Sequence, residues 1–102
     1  MSYEFVKTER LGKIFLVTLN RPAVYNAVHE PMHHELASVW DDFANDTNLW
    51  VAVLTGAGEK AFCAGNDLKA TASEGRAKLP ESGFLGLTQR FDLDKPIIAA
   101  VN

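Results

Sequence analysis

The first twenty residues have an apolar pattern that predicts two β-strands. Residues 3–11 mix β-branched and aromatic side chains with charged ones, whereas residues 14–19 form a dense apolar run. A continuous run of this length is typical of a strand that is buried on both faces. Gly12 and Lys13 separate the two segments, so the pattern predicts a hairpin with a tight turn. Pro22 cannot donate a ladder hydrogen bond, and the second strand is therefore expected to end just before it.

From Pro31 onwards, apolar residues recur at spacings of three and four, which predicts an amphipathic helix. The apolar positions are Met32, Leu36, Val39, Trp40, Phe43 and Ala44. Pro31 suits the first helical position, where its missing N–H costs nothing, and the polar residues 45–48 end the helix. The next apolar run, residues 49–55, predicts a buried strand that is closed by residues 56–58. Strand, helix and strand in this order indicate a right-handed parallel crossover.

The second half of the chain is less regular. A loop rich in Gly and Ala occupies residues 56–67, and the polar stretch that follows, residues 68–82, has no periodicity that predicts an element. Three later apolar residues have the spacing of one helical stripe, namely Phe84, Leu87 and Phe91. Residues 97–101 predict another buried strand, and the sequence ends inside it. Because an uncovered apolar strand exposes unpaired backbone groups, we expect residues 1–102 to be the N-terminal part of one domain.

Composition narrows the possible classes of protein. Hydrophobic residues make up 47% of the 102 residues and charged residues 23%, which is typical of a single globular domain. The formal net charge is -3 and no dense run of Lys or Arg occurs, so we expect no nucleic-acid partner. The apolar runs and the N-terminus predict neither a membrane span nor a signal peptide. Cys63 is the only cysteine, which suits a reducing compartment, and we predict a cytoplasmic protein.

Two strings match known site motifs but lack the context that the chemistry requires. His29, Glu30 and His33 match the H-E-x-x-H zinc-peptidase string, which needs both imidazoles on one helix face. Pro31 inside the string places His29 outside the helix, so we predict no metal site. Residues 56–61 match the G-x-G-x-x-A form of a dinucleotide-binding turn, but no helix is predicted directly after them. A dinucleotide-binding half-domain stays open as a less favoured alternative.

Three segments in order along the chain form a more specific pattern. They are residues 19–22 with Asn26 and Ala27, residues 61–69, and residues 95–102. The second has the form A-F-[SC]-A-G-x-D-[LI], and together the three segments resemble the crotonase superfamily of enoyl-CoA hydratases and isomerases. The resemblance implies an α/β fold, a crotonase-like spiral of ββα units, of which this chain forms the opening turns. It also implies an enzyme that stabilises the enolate-like anion of an acyl-CoA thioester with two backbone N–H donors.

The resemblance assigns roles to individual residues. By the loop motif, the first oxyanion donor is the backbone N–H of Asn66. Small residues at Ala64 and Gly65 allow a ligand to approach the backbone closely, and a fixed N–H needs no reorganisation when negative charge develops. The residues implied in binding the acyl-CoA substrate are Ala23, Val24, Ala64, Asn66, Asp67, Leu68 and Lys69.

Two parts of this assignment have a physical interpretation of their own. Asp67 is interpreted as a carboxylate that caps backbone N–H groups in its own loop, rather than as a general acid. Ala23 and Val24 lack the basic or polar side chain that many relatives have there to contact the phosphates of coenzyme A. Lys69 or Arg21 is therefore the predicted replacement for that contact.

The residues that decide the reaction lie, in the crotonase superfamily, beyond the position of Asn102. They are a glycine that supplies the second oxyanion N–H and the later acid/base carboxylates. Hydration, double-bond migration, dehalogenation and thioester hydrolysis share the opening segment and differ in those residues. We predict first an enoyl-CoA hydratase of fatty-acid or acyl-CoA metabolism and second an isomerase. In either case we expect a homotrimer or hexamer that uses no cofactor, apart from the coenzyme A of its substrate, and no metal. A non-catalytic binding piece is the alternative, and residues 1–102 alone are expected to be inactive.

Overall fold

The computed structural model describes residues 3–102 and shows the predicted hairpin at the start of the chain. Strand β1 spans Val6–Leu11 and strand β2 spans Ile14–Leu19, and the two pair antiparallel. Gly12 and Lys13 form the turn between them. Gly12 has a φ of +64°, a left-handed conformation that glycine adopts without steric cost. The hairpin prediction is therefore confirmed, with a shorter first strand.

Four strands form one sheet in the order β1-β2-β3-β4. Strand β3 spans Val51–Gly56 and is parallel to β2, and strand β4 spans Ile97–Ala99 and is parallel to β3. Helix α1, Glu30–Asn45, connects β2 to β3, which confirms the predicted parallel connection. Within residues 3–102, no helix combines the length and the apolar character that crossing a bilayer requires.

Helix α1 covers one face of this sheet. It begins at Glu30, so Pro31 is its second residue and not its first, and His29 is the N-cap. Its buried side chains are those of Met32, His33, Leu36, Val39, Trp40 and Phe43. Buried residues of the strands complete the core, among them Phe15, Val17, Leu19, Ala52 and Leu54. The amphipathic helix is confirmed, and the buried set includes His33, which the apolar pattern did not select.

The other face of the sheet has no covering element within residues 3–102, so in this part of the chain β2 is not buried on both faces as predicted. In β2, Phe15 is buried, whereas Ile14 is 39% exposed and Leu16 is half-buried. In β4, Ile98 is 55% exposed. Successive side chains of a strand point to opposite faces, and α1 covers only one of them. The apolar run located the strand correctly but not the burial of its second face.

The segment between β3 and β4 contains elements that the sequence pattern did not predict. Helix α2 spans Leu68–Glu74, in the polar stretch without an apolar period. The predicted helical stripe is wrong, because the chain makes a 3-10 turn at Phe84–Gly86 and Phe91 is 85% exposed. Leu85 in that turn has a φ of +57°, which is incompatible with an α-helix. Contacts with α1, rather than a local helical period, decide the path of this segment.

Two buried side chains of α1 bind the backbone of Leu85, and we call these contacts the Leu85 clamp. The Leu85 N–H donates to His33 Nδ1 at 2.9 Å, and Trp40 Nε1 donates to the Leu85 carbonyl oxygen at 3.0 Å. Gly86 packs directly on the helix, because a Cβ there would lie 2.6 Å from the Ala37 nitrogen. A buried backbone group left without a partner costs about 1–3 kcal/mol. The clamp removes that cost and offsets the left-handed conformation of Leu85.

The Leu85 clamp should make the stability of the protein depend on pH. His33 Nδ1 accepts the Leu85 N–H only while it is unprotonated, and burial lowers the pKa of His33, with a smaller effect from His34 and His29. We expect the full contribution above about pH 6.5, the ordinary histidine pKa, and a loss as the pH falls below it, because the unfolded chain binds the proton first. Urea unfolding across the histidine titration range measures this loss.

His33→Asn is the matched variant for this prediction. An amide oxygen can accept the Leu85 N–H, but it does not titrate. We expect the variant to keep most of the stability at neutral pH and to lose the pH dependence that His33 contributes. If the variant and the unsubstituted protein lose stability equally on acidification, His33 is not the source.

Candidate functional site

The candidate oxyanion donor lies in a short parallel bridge between two loops. The Val28 N–H donates to the Gly65 carbonyl at 2.8 Å, and the Asp67 N–H donates to the Val28 carbonyl at 2.9 Å. In a parallel pair, the residue between two such bonds directs its own N–H and C=O to the opposite side. Asn66 is that residue, and no acceptor for its N–H is found among residues 3–102. The Asn66 amide is thus outside the hydrogen bonds that hold its neighbours.

Gly65 determines the direction of the Asn66 amide. Its φ of +85° is open to glycine, whereas other residues would be strained there. A Cβ on Gly65 would have no neighbour within 4 Å, so the torsion angle rather than the space requires glycine. Ala64 is exposed, and its N–H donates to the Tyr25 carbonyl at 3.1 Å. Together these small residues leave an open approach to Asn66, which is itself an exposed residue.

Asp67 braces this loop through two strong contacts. As N-cap of α2 its Oδ1 accepts the Ala70 N–H at 3.0 Å, and its Oδ2 pairs with Arg21 at 2.9 Å. Only 12% of the side chain is exposed. The bond from the Ala70 N–H, and after it the Arg21 guanidinium, hold the pKa of Asp67 below its ordinary value, so the carboxylate stays ionised at neutral pH. The interpretation of Asp67 as a capping carboxylate is confirmed.

Arg21 belongs to the same brace, which argues against it as the predicted phosphate contact. Its Nη1 donates to the Ala27 carbonyl at 2.7 Å as well as to Asp67, and its side chain is 18% exposed. The guanidinium also lies 5.9 Å from the centroid of the Phe5 ring. The Asp67 carboxylate neutralises the charge of this largely buried guanidinium, which therefore attracts a further anion less strongly than a free one. Of the two predicted replacements, Lys69 is the exposed one.

Two clefts border the loop that carries Asn66. The first, which we call the Phe84 cleft, has a volume of about 500 Å³, and its lining includes Asn66, Leu68, Arg76, Leu79 and Phe84. The second, which we call the Ala23 cleft, has a volume of about 430 Å³, and its lining includes Ala23, Tyr25, Asn26, Lys60 and Ala61. The loop motif connects them, because Ala61 at its start lines one cleft and Asn66 lines the other.

The predicted site residues divide between these clefts. Asn66 and Leu68 line the Phe84 cleft, whereas Ala23 lines the other cleft and Val24 is exposed next to it. Lys60 also lines the Ala23 cleft, and the sequence analysis missed it. The sequence feature that could have identified Lys60 is its position directly before the loop motif. Lys60 thus provides a positive charge close to the plain Ala23-Val24 pair.

Comparison with known proteins decides the family. Residues 9–102 match the family described as enoyl-CoA hydratase/isomerase. The chain belongs to that family. It has the mixed α/β architecture that the motif resemblance implies, and the fold prediction is confirmed.

Individual relatives in this family are longer than the chain. It is 48% identical over 102 residues to the carnitinyl-CoA dehydratase of Escherichia coli strain K12. That alignment covers 97% of this chain and 38% of the dehydratase. The crystal structure of carnitinyl-CoA hydratase from Mycobacterium avium matches with a TM-score of 0.89 at 38% identity, over 99% of this chain and 40% of that one. The crystal structure of a probable enoyl-CoA hydratase/isomerase from Mycobacterium abscessus matches with a TM-score of 0.85 at 44% identity, over 99% of this chain and 38% of that one. The chain therefore spans 38% to 40% of these relatives.

Proposed function

We propose that the protein carrying this chain is an acyl-CoA enzyme of the hydratase or dehydratase type, in which the Asn66 N–H is one donor of an oxyanion hole. The observation that supports this most directly is the backbone N–H of Asn66 beside Gly65, which lies at the edge of the Phe84 cleft and has no acceptor in the part of the chain that the structure describes. A thioester oxygen gains negative charge as an enolate forms. A donor that is already fixed at that oxygen stabilises the charge without reorganisation.

The lining of the two clefts supports one orientation of the substrate. Leu68, Leu79 and Phe84 give the Phe84 cleft an apolar lining that suits the acyl group. The exposed Lys69 supplies positive charge that suits the phosphates of coenzyme A, and Lys60 in the Ala23 cleft supplies another positive charge, next to the negative charge of Glu59. In this orientation the thioester lies between the clefts, next to the Asn66 amide.

The names of the relatives suggest which acyl group to test first. Carnitinyl-CoA dehydratases of Proteus mirabilis and Escherichia coli are each 48% identical to this chain, so dehydration of carnitinyl-CoA is the first candidate reaction and hydration of crotonyl-CoA the second.

In the proposed elimination, a base removes a proton from the carbon next to the thioester. The electron pair passes through the enolate and forms the double bond as hydroxide leaves the next carbon and is protonated to water. A cytoplasmic homotrimer or hexamer with no cofactor beyond the substrate's coenzyme A completes the proposal.

Turnover by a protein of the relatives' length that carries this chain tests the proposal. We expect reversible dehydration of carnitinyl-CoA or hydration of crotonyl-CoA, measured by the absorbance of the conjugated thioester. Residues 1–102 alone should show no turnover, because the acid/base carboxylates of the family lie outside them. The proposal would be refuted if the longer protein bound no CoA ester in a fluorescence titration, or if it bound NAD tightly instead.

A further inference from the structure

Asn26 is a buried residue whose side-chain amide has no role in the proposed chemistry. It is 0% exposed, and its φ of +57° is a conformation that asparagine tolerates better than most residues. Oδ1 accepts the Arg21 N–H at 2.9 Å, and Nδ2 donates to the carbonyl oxygens of Ala57 at 3.0 Å and Ala61 at 2.9 Å. The amide therefore fastens both ends of the segment that leads into the loop motif.

The packing around Gly56 leaves this amide little freedom. A Cβ on Gly56 would lie 2.8 Å from Asn26 Nδ2 and 2.4 Å from the Phe62 carbonyl oxygen. A second amide, that of Asn102, donates to the carbonyl oxygens of Gly56 and Gly58, each at 3.0 Å. Two side-chain amides thus hold residues 56–61, and of the two only Asn26 binds the end nearest to the candidate donor.

The remaining attachments of the loop involve the neighbours of Asn26. The Tyr25 carbonyl accepts the Ala64 N–H at 3.1 Å, and the backbone of Val28 binds the residues on either side of Asn66. Residues 25–28 therefore act as one template, to which the loop is bound at Ala61, at Ala64 and around Asn66. The first of these attachments depends on a side chain, and it is the one that a substitution can remove selectively.

We propose that Asn26 is a positioning residue for the oxyanion hole, because its Nδ2 donors hold in place the loop that carries the Asn66 N–H. This inference rests on the proposed function of Asn66. An oxyanion donor must lie about 2.7–3.1 Å from the developing charge. A misplacement of about 1 Å can lower the rate about 10²-fold. Asn26 therefore controls the rate through a carbonyl attachment five residues before the donor.

Asn26→Asp in a protein of the relatives' length tests this inference. Aspartate keeps the shape and the acceptor for the Arg21 N–H, but it directs an oxygen instead of two donors at the Ala57 and Ala61 carbonyls. We expect kcat to fall about 10- to 100-fold, with recovery as the pH falls, because protonation of the introduced carboxyl returns one donor. The carbonyl infrared band of a bound, unreactive acyl-CoA thioester should also lose most of its shift to lower frequency. Asn48→Asp, at an exposed position, controls for the added charge.

The possible results separate this inference from the proposed function. If Asn26→Asp and Asn26→Gly both keep the normal kcat and the normal carbonyl shift, the positioning role is wrong while the role of Asn66 stands. If the unsubstituted protein shows no carbonyl shift, the oxyanion role of Asn66 is itself wrong, and the inference fails with it. If the aspartate variant does not fold, Asn26→Gly replaces it, because glycine adopts a φ of +57° without strain and also removes both donors. The same loss of kcat and carbonyl shift is then required.

Discussion

Asn66→Pro should lower kcat about 10²- to 10³-fold in a protein of the relatives' length that carries this chain, the typical effect of deleting one oxyanion donor. Proline removes the Asn66 N–H but leaves the bridge to Val28, which uses the Gly65 carbonyl and the Asp67 N–H. KM for the acyl-CoA thioester should change much less, because the donor acts mainly in the transition state. Steady-state kinetics with a single enoyl-CoA substrate measures both constants.

Asn66→Ala is the matched control for the proline variant. Alanine keeps the backbone N–H and removes only the side-chain amide, so we expect it to retain most of the activity. Circular dichroism and thermal unfolding of both variants establish that each is folded. Near-normal kcat in the proline variant would locate the donor elsewhere. Equal inactivity of the two variants would assign the effect to the Asn66 side chain instead of its N–H.

Trp40→Ala should lower the free energy of unfolding by about 3–5 kcal/mol, as expected for a large aromatic side chain removed from a core. Trp40 is 0% exposed, and its ring meets that of Phe43 edge-on, with centroids 6.3 Å apart. The substitution leaves a cavity under α1 and also removes the donor to the Leu85 carbonyl, which breaks half of the Leu85 clamp. Denaturant unfolding followed by circular dichroism measures the loss.

The chain offers two comparisons for this prediction. Trp50 is 63% exposed, and Trp50→Ala should cost less than about 1 kcal/mol, including the contact with Lys13 at 5.1 Å from its ring. Trp40→Phe keeps most of the apolar volume but leaves the Leu85 carbonyl unpaired, and should cost about 1–3 kcal/mol. It also provides the measurement if the alanine variant is unfolded throughout. Equal losses for Trp40→Ala and Trp50→Ala would be inconsistent with a core centred on Trp40.

Elements marked by a local apolar signal could be predicted from the sequence. Strands β1 to β3 and helix α1 lie within a few residues of their predicted positions, because continuous apolar runs mark β2 and β3 and a helical apolar period marks α1. The cap by Asp67 could also be predicted, since its partner, the Ala70 N–H, is only three residues away. Signals of this kind depend on neighbouring residues alone.

Elements that depend on distant contacts could not be predicted. Helix α2 has no buried residue and therefore no apolar stripe. The turn at Leu85 depends on hydrogen bonds to His33 and Trp40, which are 52 and 45 positions away in the sequence. The apolar spacing of that segment indicated a helix, but the contacts with α1 stabilise a left-handed residue instead.

The sequence by itself determined the order of the main elements, the family pattern of residues 61–69 and the choice of Asn66 as candidate donor. Only the tertiary structure decided that the backbone N–H of Asn66 has no acceptor among residues 3–102, that Arg21 is bound to Asp67, and that Asn26 binds the loop. The physical reason is the separation in sequence between the residues that interact. Apolar periods arise from the regular geometry of adjacent residues, whereas the partners of Asn26 and Arg21 lie 31 and 46 positions away, where packing of the whole chain brings them together.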